Sequence, residues 1–82
     1  MARTLIFRGR LFTSSGDPLI GAIVDIYDTD RLDPIGKALS NAWGIWFAEV
    51  AADKCYPPFY KVVRWGTATA VSERVEPVER AA

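Results

Sequence analysis

Catalysis by a chain of 82 residues needs a nucleophile or an acid–base pair, and few residues here can supply one. Ser14, Ser15 and Ser40 fall in turn-like segments, and Cys55 follows Lys54, a neighbour that favours the thiolate. The chain contains no histidine, so none of these groups has the commonest proton acceptor at hand. Asp17 with Asp53, or Glu49 with Lys54, are the acid–base pairs that charge alone would allow, and no spacing singles either out. An acidic loop, Asp28-Thr29-Asp30-Arg31-Leu32-Asp33, with Asp25 just before it, offers oxygen ligands of the kind Ca²⁺ takes. It lacks the glycine and the terminal glutamate of an EF-hand loop, and Arg31 adds a competing positive charge. The other reading of the loop is a solvated turn whose carboxylates bond local backbone; the sequence favours it without closing the Ca²⁺ question. These residues predict no catalytic site, no metal and no cofactor. The chain reads as a protein that is not an enzyme.

The aromatic residues carry more information. Tyr27, Trp43, Trp46, Phe47, Tyr56, Phe59, Tyr60 and Trp65 are too many for the interior of one thin domain. Alternation along a strand sends neighbours to opposite faces. If Trp46, Ala48 and Val50 point inward, Ile45 and Phe47 point outward; if Val24 and Ile26 point inward, Ile23 and Tyr27 point outward. Both faces of Phe59-Tyr-Lys-Val-Val-Arg-Trp65 are apolar. A second apolar surface is rarely left in water by a lone soluble protein, and aromatic-centred patches anchor interfaces. Ile23, Tyr27, Ile45, Phe47 and Trp65 are therefore the expected partner interface, with the first four forming one patch. Trp43, at the tip of a turn, and Tyr60 are the candidates for stacking against a ligand such as a sugar ring or a peptide.

Short strands must position these side chains. Arg3 to Thr13 alternates, with Leu5, Phe7 and Leu11 against Arg8 and Arg10. Ser14-Ser15-Gly16-Asp17-Pro18 is a turn by composition. Ile20 to Asp28, Ile35 to Leu39, Ile45 to Val50, Phe59 to Trp65 and Thr67 to Val71 are further strands. Ser40 to Gly44 forms a tight turn, and Gly66 a pivot between the last two strands. The paired prolines at 57 and 58 exclude a central strand there. The pattern predicts an all-β fold: a small antiparallel Greek-key β-sandwich of about six to seven strands. The domain is expected over residues 1–72, followed by a charged C-terminal arm over 73–82. Its exposed edge is expected at the first strand or at Thr67–Val71.

The stretch from Phe7 to Val50 resembles the transthyretin-like, or carboxypeptidase-regulatory-like, domains. The residues that carry the likeness are Gly9-Arg-Leu11, Gly16-Asp-Pro-Leu-Ile-Gly-Ala22, Val24-Asp-Ile-Tyr-Asp28 and Ser40-Asn-Ala-Trp-Gly-Ile-Trp46. Ser40-Asn41 stands where the pattern has Thr-Asp, and Trp46 where it has Phe. The resemblance covers about half the chain and implies a prealbumin-like sandwich that serves as a binding or assembly module. It also implies that edge strands are a means of association. The enzymatic branch, the 5-hydroxyisourate hydrolases, uses histidines and a Tyr-Arg-Gly-Ser terminus, which this sequence lacks.

Totals point the same way. A domain this small gains limited stability from its own core and usually adds disulfides, a metal or association. One cysteine permits no internal disulfide, so association remains. Ten basic and ten acidic residues balance to zero, giving no electrostatic pull toward nucleic acid or anionic membrane. No apolar run is long enough to span a bilayer. The apolar run before Arg8 is too short for a secretory signal, which leads to the expectation of a cytoplasmic protein or a part of an assembly built there. The expected function is a structural module that associates with protein through an apolar sheet face or an edge strand, as in a phage or injection-machine particle. An accessory domain that binds glycan or peptide is the alternative.

Overall fold

The computed structural model describes residues 3–30, 32–52, 55–67 and 71–81. Among these the chain forms seven strands and no α-helix: β1 (Arg3–Arg10), β2 (Ile23–Tyr27), β3 (Gly36–Leu39), β4 (Ile45–Ala51), β5 (Phe59–Arg64), β6 (Val71–Val75) and β7 (Val78–Ala81). They make two antiparallel sheets, one ordered β4-β1-β7 and the other β3-β2-β5-β6. The two sheets pack as a small β-sandwich. Chain order gives it a Greek key: β2, β3 and β4 follow one another around one margin, and β5 returns beside β2.

Alternation builds the core. Along β4, every second residue is buried, which sends Trp46, Ala48 and Val50 inward beside Phe7 and Leu5 of β1. Val24 and Ile26 of β2, Ala38 of β3 and Phe59 of β5 meet them from the other sheet. The rings of Phe7 and Phe59 contact edge to face, 5.3 Å between centroids, the arrangement that ring quadrupoles favour. Gly9 lies opposite Trp46. A Cβ there would stand 2.9 Å from the indole nitrogen, so the large ring fits only because its neighbour has no side chain.

Turns lie in two of the four connections that pass between the sheets, β1 to β2 and β3 to β4. In the first, Gly16 N–H donates to Thr13 C=O (3.0 Å) and Phe12 bridges Pro18. The second, Asn41 to Gly44, carries the chain from β3 to β4, and Gly44 adopts the positive φ that turn requires. Asn41 holds it by accepting from the backbone of Trp43 (2.9 Å) and Ile45 (3.0 Å) through its side-chain oxygen. Buried Ser40 ties the turns together: its hydroxyl donates to Leu19 C=O (2.6 Å) and accepts from Ala22 N–H (2.9 Å).

Three expectations change. The first strand is no edge, because β4 and β7 flank it on both sides. The last strand of the second sheet is Val71–Val75, and residues 68–70 of the expected Thr67–Val71 strand lie outside the described residues. Residues 73–82, expected as an arm, supply most of β6 and all of β7, up to the described Ala81. An edge strand with charge on both sides looks like a solvated tail in sequence, and Pro77 sits between the two strands, where its missing N–H costs no ladder bond.

Candidate functional site

The outward sides of the two sheets are the surfaces that could engage a partner. On the three-stranded sheet, β4 presents Ile45 and Phe47, 41% and 49% exposed, opposite Arg10 and Arg8 of β1. Ile6 and Val78 continue the apolar stripe, and Arg80 of β7 reaches over β1 to Glu49 at 3.1 Å. Arg10 stacks on the ring of Phe12 just beyond the strand.

The four-stranded sheet turns Ile23 and Tyr27, both half-buried, to its own outer side. The expected patch of Ile23, Tyr27, Ile45 and Phe47 is therefore not one surface. The Asn41–Gly44 turn puts β4 in the other sheet from β2, and outward sides of stacked sheets face opposite ways. Between Ile23 and Tyr27 sits Asp25, a buried carboxylate on an outer face. Its Oδ2 accepts from Arg64 Nε (3.0 Å) and Nη2 (2.9 Å), and Lys37 Nζ stands 3.9 Å from Oδ1. Three strands bring these groups level, since Lys37 pairs Asp25 and Arg64 pairs Ile23. Charge pairing offsets part of the cost of burying the acid, whose Oδ1 has no hydrogen-bond partner among the described residues.

Tyr60 lies directly across from Tyr27. Together with Leu32, Val62 and Ser72 they line a shallow hollow of about 290 Å³ on this face. Trp43 and Trp65 belong elsewhere, at the end of the sandwich where the turns gather. Trp43 is 65% exposed at its turn tip. Trp65 donates from its indole nitrogen to Ile20 C=O at 3.0 Å. The two ligand candidates, Trp43 and Tyr60, are thus not brought together: one caps the Ile23 end of the sheet, the other the Tyr27 end.

Candidate chemistry is scattered too. Ser14 and Ser15 stay in the exposed first turn, while Ser40 is committed to Leu19 and Ala22. Cys55 is buried and its thiol donates to Ala51 C=O at 3.3 Å. Asp53, Lys54 and Arg31 lie outside the described residues. In the acidic loop, Asp28 accepts from the backbone of Asp30 and Tyr56 (3.4 Å each), and Asp30 from Leu32 N–H (3.0 Å). These carboxylates serve local backbone. Among the described residues no group of three or more ligating side chains converges on a metal-sized site, and no helix is long and apolar enough to cross a membrane.

Sequence reasoning missed several exposed apolar residues. Phe12 and Ile20 flank the first turn, and Leu32, Leu39 and Val78 lie on or beside the outer faces. Phe12 and Ile20 were detectable as large apolar residues bracketing Ser14–Pro18. The pairing of Asp25 with Arg64, 39 positions apart, depends on strand register and left no local signal. No family model matches the chain, and no curated protein or solved structure matches it.

Proposed function

We propose that this chain is a non-catalytic assembly module, a sandwich of transthyretin-like kind that associates with protein through its outward apolar surfaces. One observation carries the reading: the sandwich buries a core of its own, yet Ile45, Phe47 and Leu39, the last 65% exposed, still face water on the two sheets. Side chains of this size at alternating outward positions match the aromatic and aliphatic anchors of interfaces. A domain of this length gains from association what its core cannot supply alone. The proposal places it in the cytoplasm, or in a particle assembled there, with no cofactor and with protein as partner. Native mass spectrometry of the wild type beside Phe47→Asp and Tyr27→Asp tests it. Because the two residues lie on opposite faces, loss of the oligomer in one variant identifies the face used. A wild type that stays monomeric in both this assay and light scattering contradicts the proposal.

The hollow beside Tyr27 and Tyr60 favours a second reading, an accessory domain that holds a glycan or peptide side chain against paired tyrosines. Glycan or peptide binding lost on Tyr60→Ala supports it. Binding lost only on Trp43→Ala moves the site to the turn end.

A further inference from the structure

We infer that two copies of this chain join β4 to β4, antiparallel, with Ala48 on the two-fold axis. The inference rests on the assembly reading above and names its partner and register.

Among the described residues, four strands lack a hydrogen-bonded neighbour on one side: β3, β6, β4 and β7. Three carry the features that keep strand edges from pairing. β3 has four residues and includes Lys37; β6 contains Glu73 and Arg74; β7 has four residues, follows Pro77 and contains Glu79 and Arg80. β4 is the exception: seven residues, Ile45-Trp-Phe-Ala-Glu-Val-Ala51, one charge, no proline, and an unbroken register with β1.

Backbone phase then fixes which groups are available. In an antiparallel ladder, opposed residues alternate between exchanging hydrogen bonds and exchanging none. Leu11 N–H donates to Gly44 C=O at 2.8 Å, which assigns Gly44, Trp46, Ala48 and Val50 to the ladder with β1. The backbone groups of Ile45, Phe47, Glu49 and Ala51 point away. Asn41 occupies both groups of Ile45, its side-chain oxygen accepting at 3.0 Å and its N–H donating at 2.9 Å. The Cys55 thiol occupies Ala51 C=O. Among the described residues, Phe47 and Glu49 remain, between Ile45, with both groups bound, and Ala51, with its C=O bound.

A window of two residues admits one good self-pairing. Phe47 opposite Glu49 of the second copy, and Glu49 opposite its Phe47, form two bonded pairs around Ala48 facing Ala48. Phe47 opposite itself makes the next pair Ile45 with Glu49, which Asn41 blocks. Glu49 opposite itself sets like charges together. The chosen register also places Arg8, level with Phe47 on β1, two strands from Glu49 of the second copy. Arg80 already spans two strands to reach Glu49 within one chain. The product is one six-stranded sheet, β7-β1-β4-β4-β1-β7.

Ala48 provides the test. In the non-bonded pair its two Cα atoms stand about 4.5 Å apart, within disulfide range. In full-length protein carrying Cys55→Ser, Ala48→Cys should yield a covalent dimer on mild oxidation, while Ser72→Cys on the β6 edge should not. Phe47→Pro removes an outward N–H without touching the β1 ladder and should weaken dimerisation ~10-fold or more. Equal cross-linking through Ser72→Cys, or none through Ala48→Cys, overturns the β4 pairing. A dimer that survives Phe47→Pro but is lost in Tyr27→Asp overturns it while sparing the assembly reading. A wild type monomeric throughout overturns both.

Discussion

The two long margins of the sandwich are built differently. Where β3 meets β4, inward positions hold Ala38, Ala48 and Val50, all buried, and the Asn41–Gly44 turn passes directly from one sheet to the other. Where β6 and β7 run, inward-facing positions hold Glu73, Glu79 and Arg3, the last two bridged at 3.0 Å and both about half-exposed. Lys61 also points inward and lies 5.6 Å from the centre of the Trp46 ring, its stem covering the indole while its charge interacts with the ring face. The sheets close on apolar side chains at one margin and end on charge at the other. A charged margin can stay in water and resists pairing; an apolar strand edge at the closed margin invites it.

This contrast sets the order of mutational effects. Trp46→Ala empties the closed margin and exposes the facing residues to a cavity. It should destabilise the fold by ~3–5 kcal/mol, read by urea unfolding, and a loss no larger than that of a surface substitution would break the comparison. Ser40→Ala removes one hydroxyl that serves Leu19 C=O and Ala22 N–H, leaving the buried Ala22 N–H and the half-buried Leu19 C=O without that partner. The expected cost is ~1–3 kcal/mol. Glu79→Gln, at the charged margin, should change stability by less than ~0.5 kcal/mol; a loss rivalling Ser40→Ala would show that this margin is a working part of the core.

Much of this architecture was readable from residue order. The alternation from Ile45 to Val50 assigned Trp46 inward and Phe47 outward, and Gly44 and Gly16 marked their turns. Assignment of strands to sheets was not readable, because alternation states which neighbours share a side of a strand but not which strands share a sheet. Alternation alone therefore groups Ile23 and Tyr27 with Ile45 and Phe47, which lie on the other sheet. The burial of Asp25 was equally hidden, since its partners Lys37 and Arg64 come from separate strands. Val78 to Ala81 gave too short and too charged a pattern to distinguish an edge strand from an arm. The free length of β4 follows only from the phase of its bonds to β1.

Sedimentation equilibrium of the wild-type protein over a wide concentration range addresses association itself. The expected result is a mass rising with concentration from the 9.1 kDa of one chain to twice that value. A single species of 9.1 kDa at every concentration would mean that the outward apolar side chains and the bare β4 edge stay in water, contrary to the proposed assembly.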